Sequence, residues 1–332
     1  MKIMRLITVL AFVLATNATM AKIWRVNNIT GVNANFTSLQ AAHDAASGGD
    51  TIAVEGSAIS YGNCTVIKPL TFIGPGFFLA ENPYTQAKLA GAYVDIFYFN
   101  AGSQGSVLTG MTVGYTEINT SNIFLVRNYL VRSGIPLVIK AGLANIVVKQ
   151  NYIVDNSSND NGMSVQSSCS NIIITNNYIK CANTIYSSIS GASNSNLEIS
   201  QNVLNGSLSV SYSTITNNIM LNTVTYGGSN NTVNNNISDG PLFGNLNGNK
   251  DNVDMTTVFV GTGSTDAQWM LKASCPASAA GISGEDCGMF GGLESYVLSG
   301  IPAAPSIYFL TSPTSGSGLQ GLPVHVKVKS HN

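Results

Sequence analysis

Charged side chains are scarce in this sequence. Only 9% of its 332 residues are Asp, Glu, Lys or Arg, with 15 basic and 16 acidic residues. Nucleic-acid binding depends on clustered Lys and Arg that neutralise phosphates, and the basic residues here are scattered, so we expect no nucleic-acid partner. The chain is also 44% hydrophobic, which is too apolar for a disordered protein and sufficient for a large core.

Histidine and cysteine are equally sparse. The three histidines and five cysteines include no CxxC pair, which argues against a zinc site and gives no reason to expect a cofactor. Cys275 and Cys287 flank a loop rich in Pro and Gly. They either form a disulfide in an oxidising compartment or remain small buried hydrophobic side chains.

No apolar run reaches the roughly 20 residues that a membrane-spanning helix needs. The N-terminus instead has the pattern of a secretory signal, with Lys2 and Arg5 before the apolar stretch 6–15 and small residues before Lys22. We predict a signal peptide over Met1 to Ala21, cleaved after Ala21. The mature protein is then secreted or on the cell surface, with no membrane span.

Asparagine, in contrast, is abundant and periodic. The motif N-x5-N-x-(apolar) places its second Asn in six units at 16- to 26-residue intervals, and the first position is Asn in five of them. Such a repeat at nearly fixed spacing is typical of solenoids. The second Asn occurs at Asn128, Asn151, Asn177, Asn202, Asn218 and Asn236.

Between the two Asn, apolar and more polar residues alternate, as in Ile146, Val147, Val148 and Lys149. Alternation with a period of two predicts a strand with one buried face. Each unit carries about three such short strands, which are too short to form a sheet alone and must pair with the next unit. The sequence therefore predicts an all-β, single-stranded right-handed parallel β-helix with coils of about 22 residues. Asn suits its corners because it tolerates the left-handed conformation, and its amide can bond the Asn one coil away.

The regions that flank the repeat predict a helical cap, closing strands and a C-terminal tail. Thr37 or Ser38 can cap a short helix that covers the first coil, and we assign residues 22–270 to the β-helix with this cap. The stretches TTVFVG and WMLKAS are predicted as closing strands. Residues 271–332 form a C-terminal closing segment and a tail rich in Pro and Gly, with LPVHVKVK as one more strand.

The opening LQAAHDAASGGDTIAV, the stretch KPLTFIGPG and the NxxIxxN coils resemble the right-handed parallel β-helix, or pectate-lyase-like, superfamily. The end of the chain, from LKASCPASAAG to PSIYFL, is similar to uncharacterised secreted Bacteroidetes proteins of that fold. The resemblance covers about residues 24–310 and implies fold and origin rather than activity. It also implies where chemistry would lie, since enzymes of this fold place their acids and bases on the outer face of one sheet.

Two carbohydrate-active chemistries can be sought among the residues. A hydrolase needs a pair of carboxylates at defined separation, and no close pair or His occurs in the coils. A calcium-dependent polysaccharide lyase needs acidic ligands and a base. Asp155 and Asp160, in the loop DNSSNDNG, are the candidate metal ligands, although Asp and Asn also populate ordinary turns. The candidate bases are Arg127, Arg132, Lys140, Lys149 and Lys180.

Tyr129, Tyr152 and Tyr178 each follow a repeat Asn and would form an aromatic column. Such a column either binds sugar rings or stabilises neighbouring coils by stacking. Three functions therefore stay open: non-catalytic adhesion or contact with a polysaccharide or cell-surface glycan, a Ca²⁺-dependent pectate-type lyase, or a structural spacer in a surface assembly. The first is preferred because no acid, base and His set converges in the sequence.

Overall fold

The computed structural model describes residues 21–192, 196–222, 225–316, 318 and 321–330. The predicted signal peptide lies almost wholly outside these residues. Within them the protein is dominated by two parallel sheets, one of ten strands (sheet A) and one of fourteen (sheet B). The prediction of an all-β protein with long parallel sheets is confirmed.

Successive repeat units each add one strand to sheet A, and every pairing in it is parallel. The first strand pairs with the second, and the ladder then continues unit by unit to the tenth. In chain order these strands are Ile23–Val26, Thr51–Val54, Thr71–Ile73, Val107–Thr109, Ile123–Val126, Ala144–Lys149, Ser170–Thr175, Leu197–Ser200, Thr214–Thr216 and Thr232–Asn234.

Sheet B begins with Asn63–Val66 and two seven-residue strands, Tyr93–Phe99 and Thr112–Ile118. Thr112–Ile118 is a branch point, because its start pairs with Tyr129–Arg132 and its end with Leu137–Ile139. From there each unit except the last contributes two strands, which gives about three per unit with sheet A, as predicted. One branch continues through Tyr152–Asp155, Tyr178–Lys180, Val203–Asn205, Ile219–Leu221 and Ile237–Ser238, and the other through Met163–Val165, Ser187–Gly191, Ser207–Ser209 and Tyr226–Gly227.

The core lies between the sheets and consists of aligned aliphatic side chains. Ile146 pairs in register with Ile123 on one side and Ile172 on the other, and all three are fully buried. Outward positions such as Phe124 and Glu198 are exposed, so the predicted alternation is confirmed. Burying each aliphatic side chain contributes about 1.5–3 kcal/mol, so the stacks are the main stabilising element.

A helix at the N-terminal end spans Leu39–Ala45, and Ser38 caps it by accepting a hydrogen bond from the Ala41 N–H. Its apolar face, with Leu39 and Ala42, is buried against the first strands, as the sequence predicts. In the described part of the chain, no helix has the length and apolar character required to cross a membrane.

The predicted closing strands are wrong. The region contains short 3-10 helices at Met255–Thr257, Ala267–Trp269 and Leu298–Gly300, and its single β contact is an isolated bridge between Phe259 and Leu271. Glycine recurs throughout this region, and apolar side chains such as Val258 and Phe259 pack in one cluster with sheet B residues instead of forming a new ladder. The last strands, Ser306–Thr311 and His325–Lys329, form an antiparallel ribbon.

After the ladders end at Ser238, residues 239–305 (the return segment) run along the repeat units, and the part over residues 280–301 passes them in reverse order. The Gly288 N–H donates to the Asn217 carbonyl, Asn176 Nδ2 donates to the Met289 carbonyl, and Arg127 Nη1 donates to the Ile301 carbonyl. In this part of the return segment, the partner's number falls as the residue number rises. This segment therefore covers one side of the stack.

Candidate functional site

The second Asn of each repeat unit forms a buried ladder of amides. Asn151 Nδ2 donates to Asn177 Oδ1 at 3.1 Å, and Asn177 Nδ2 donates to Asn202 Oδ1 at 3.0 Å. Each Oδ1 also accepts the backbone N–H of the preceding ladder Asn, at 2.8 Å between Asn151 N and Asn177 Oδ1. The ladder runs through Asn128, Asn151, Asn177, Asn202, Asn218, Asn236 and Asn249. These amides are satisfied by one another and by backbone carbonyls, which leaves them a structural role.

The left-handed corner residues are distributed differently from the prediction. The first Asn of a unit is left-handed, as at Asn122 and Asn145, with φ of 61° and 58°. At the second corner, however, the left-handed residue is the one before the ladder Asn, for example Gln150 or Asn176. The ladder Asn is therefore retained for its side-chain amide, and conformational tolerance is needed one position earlier.

The three tyrosines form a column, but its rings are covered. Tyr152 and Tyr178 stack with ring centroids 4.5 Å apart, and Trp269 of the return segment stacks on Tyr178 at 4.7 Å. Tyr152 and Tyr178 are buried and Tyr129 is half-buried. Burial raises the pKa of Tyr178 to about 12. The column thus joins the return segment to sheet B, and the faces that a sugar would need are occupied by other rings.

A buried carboxylate holds the return segment in place. Asp266 is fully buried and accepts hydrogen bonds at one oxygen from Asn82 Nδ2 and Ser264 Oγ, both within 2.9 Å. Its other oxygen accepts from the Ser299 N–H at 2.6 Å and from the Tyr296 hydroxyl at 3.2 Å. Asp266 thereby links residues that are far apart in sequence, with hydrogen-bond donors at both of its oxygens.

Of the candidate metal ligands, Asp155 is the last residue of the strand Tyr152–Asp155, and Asp160 lies in the loop after it. Asp155 is fully buried, and its Oδ1 accepts the N–H groups of Ser157 at 2.7 Å and Gly134 at 3.0 Å. Its Oδ2 has no hydrogen-bond partner. Burial raises the pKa of the Asp155 carboxyl. Asp160 accepts from Ser157 Oγ at 3.0 Å. In the described ranges no group of three or more His, Cys, Asp or Glu is placed to hold a metal ion.

The candidate bases are dispersed. Arg132 pairs along the sheet with Asp155 and lies over the Tyr115 ring, with its Cζ 4.7 Å from the ring centroid. Lys140 forms an ion pair with Glu117 at 3.1 Å, and Lys180 lies at the end of a sheet B strand. Two others, Arg127 and Lys149, line a common groove.

This groove lies on the outer face of sheet A and has a volume of about 770 Å³. Its floor is one register column that crosses four successive units, and its wall is the return segment between residues 293 and 304. Three intervals of about 4.8 Å make this floor roughly 14 Å long, the length scale of a short oligosaccharide. The floor residues in the column are Ile73, Thr109, Val126 and Lys149.

Polar groups sit at one end of the groove. Lys149 Nζ lies 2.6 Å from Glu294 Oε2, and Gln150 Nε2 donates to the Glu294 and Ser295 carbonyls. Arg127 Nε donates to Gln150 Oε1 at 2.8 Å. Glu294 is the one carboxylate among the described lining residues. Sequence reasoning missed this wall, because its contacts with Lys149 and Gln150 join residues about 145 positions apart and no local pattern predicts such contacts.

Both Cys275 and Cys287 are unpaired and buried, which matches the second of the two alternatives for them. Cys287 Sγ donates to the Asn235 carbonyl at 3.3 Å, and burial raises the pKa of this thiol to about 12. A thiol with so high a pKa is a poor nucleophile at neutral pH.

No protein-family model, curated protein or solved structure matches this chain.

Proposed function

We propose that this protein is a secreted or cell-surface right-handed parallel β-helix of the pectate-lyase-like type that contacts polysaccharide without catalysis. The proposal of a β-helix is supported by the unit-by-unit parallel ladders of both sheets and by the amide ladder inside one corner. Secretion is supported by the signal-like residues at the N-terminus.

The groove on sheet A is the observation that carries the proposed function. It runs across successive units, so a linear polymer can lie along it and meet equivalent positions at each step. Ile73 and Val126 on its floor suit the C–H faces of sugar rings, and the Lys149–Glu294 ion pair places charged groups at one end. A few fixed polar groups on a mostly apolar surface are the general composition of a ligand site.

Two alternatives receive less support. A calcium-dependent lyase needs several carboxylates around the ion, yet neither Asp155 nor Asp160 lines the groove, and Glu294 is already paired with Lys149. Asp155 is instead buried in its own turn. A plain spacer has no need of a groove that crosses four units.

Binding of the whole protein to an array of neutral and acidic polysaccharides tests the proposal, with Thr109→Trp as the groove variant. Thr109 lies on the groove floor, so an indole there fills the space that a sugar would take. The matched control is Thr232→Trp, which places the same ring at an exposed position of sheet A outside the groove lining.

We expect saturable binding that Thr109→Trp abolishes and Thr232→Trp preserves. Equal binding by both variants, or no binding by the wild-type protein, would refute the groove as a glycan site. Each positive polysaccharide is also incubated with and without Ca²⁺ while ultraviolet absorbance of unsaturated products is followed. Their release would replace the non-catalytic proposal with the lyase.

A further inference from the structure

The C-terminal ribbon, Ser306–Thr311 with His325–Lys329, is far more exposed than any other paired strands. One of its faces is apolar: Val328 pairs with Ile307 and Val326 pairs with Leu310, and the four are 46–56% exposed. Two-stranded ribbons of this kind are at best marginally stable in water, and a third strand is the usual remedy.

The two edges of the ribbon differ. The edge formed by Ser306–Thr311 meets the body of the protein, where the Ala87 N–H donates to the Ile307 carbonyl at 2.7 Å and Tyr84 packs against Tyr308 at 5.6 Å. Among the residues that the structure describes, His325–Lys329 pairs on one side only. Its outer edge is therefore the open one, with backbone groups facing solvent.

The charge on the other face of the ribbon determines which kind of strand can pair with the open edge. Lys327 and Lys329 project to the face opposite Val326 and Val328, and Lys327 Nζ lies 5.3 Å from the Phe309 ring centroid. No acidic residue occurs in either strand. Pairing of this edge with a second copy would bring lysines of both chains together, which is unfavourable between directly opposed strands.

We propose that the edge of His325–Lys329 is a docking site for an extended strand of a partner protein in which carboxylates alternate with apolar side chains. The added strand forms backbone hydrogen bonds along the open edge. Its apolar residues extend the face of Val326 and Val328, and its carboxylates pair with Lys327 and Lys329. Alternation is required because successive side chains of a strand point to opposite faces.

The test measures fluorescence anisotropy of two labelled nine-residue peptides with uncharged ends, one alternating Val and Glu and the other alternating Val and Lys, titrated with the full protein. We expect saturable binding of the Glu peptide, weakened by salt, and at least about tenfold weaker binding of the Lys peptide. Hydrogen exchange in the complex is expected to slow at residues 325–329.

The charge-reversed variant Lys327→Glu with Lys329→Glu is expected to invert this preference by about tenfold in the opposite direction. Lys180→Glu with Lys272→Glu makes the same change of net charge outside the ribbon and serves as the matched control. All four positions are at least partly exposed, and circular dichroism verifies that both variants fold.

Three results overturn the proposal. The first is an unchanged preference in the ribbon variant, or the same inversion in the control, either of which moves binding to another surface. The second is equal binding of both peptides. The third is concentration-dependent dimerisation in sedimentation experiments with exchange protection at residues 325–329, which assigns the edge to a second copy of the chain.

Discussion

Replacing Asn177 with Ala removes one rung from the centre of the amide ladder. The side chain makes four hydrogen bonds: its Oδ1 accepts from the Asn151 backbone N–H and side-chain amide, and its Nδ2 donates to the Val148 carbonyl and to Asn202. The Asn151 N–H is then buried without an acceptor. At about 1 kcal/mol for each of the four lost bonds and about 1–3 for the orphaned donor, we expect a loss of roughly 5–7 kcal/mol in unfolding free energy.

The matched control is Asn171→Gly in the same unit. Asn171 Nδ2 also donates to an Asn one unit away, Asn145, at 2.7 Å, but this pair is exposed to solvent. Gly tolerates the left-handed φ of 52° at this position, so the change removes only the side chain. We expect a cost below about 1 kcal/mol.

Urea unfolding followed by circular dichroism measures both variants against the wild type. If Asn177→Ala costs no more than Asn171→Gly, the buried ladder does not stabilise the protein and the reasoning fails. Asn177→Asp supplies a second readout, since its carboxylate would face the Val148 carbonyl and Asn202 Oδ1. Desolvation and these acceptors raise the pKa of the new carboxyl, so its stability should recover as the pH falls below that pKa.

Three further predictions follow from the buried groups. Asp266→Ala leaves the Ser299 N–H without an acceptor and removes one of the two acceptors of Asn82 Nδ2, so it should cost about 3–5 kcal/mol, with faster proteolysis of residues 267–305. The exposed control Asp254→Ala removes only the N-cap of a short 3-10 helix and should cost less than Asp266→Ala; equal cleavage of the two variants would contradict the anchoring role. Burial raises the pKa of the Asp155 carboxyl, so the folded state binds more protons than the unfolded state. The contribution of this group to stability is therefore lost as the pH rises through its folded pKa. Asp155→Asn should remove this component of the decline in urea midpoint above pH 4, whereas Asp160→Asn should leave it unchanged. Tyr178→Ala empties the space between Tyr152 and Trp269, with an expected cost of about 3–5 kcal/mol and a red shift of tryptophan emission. The control Tyr178→Phe should keep the wild-type emission. Identical emission spectra of Tyr178→Ala and the wild type would show that the stack is not intact in solution.

Much of the sheet architecture was predictable from the sequence because its signals are local. The alternation in Ile146, Val147 and Val148 sets which side chains are buried, and the Asn spacing sets where the chain turns. The Ser38 cap and the helix after it also follow from adjacent residues. In each case the residues that decide the structure lie within one repeat unit.

The candidate site was much less predictable. Tyr152 and Tyr178 have the spacing of a column whether their rings face sugar or protein, and only Trp269, about a hundred residues later, decides between the two. Asp155 reads as a loop carboxylate, yet its side chain is buried because the turn folds over it. The groove needs Glu294 beside Lys149, and no periodicity links those two positions.

The sequence by itself determined the parallel repeat, because each unit is too short to bury its apolar face and must pair with an identical neighbour. It also determined the amide ladder, since an Asn at the same position of every unit meets its counterpart about 4.8 Å away. The tertiary structure decided what remains exposed. The return segment carries no repeat of its own, and its path over the tyrosine column and along sheet A depends on contacts that the buried Asp266 and the half-buried Trp269 make with residues distant in sequence. Long-range contacts of this kind also build the wall of the groove on sheet A.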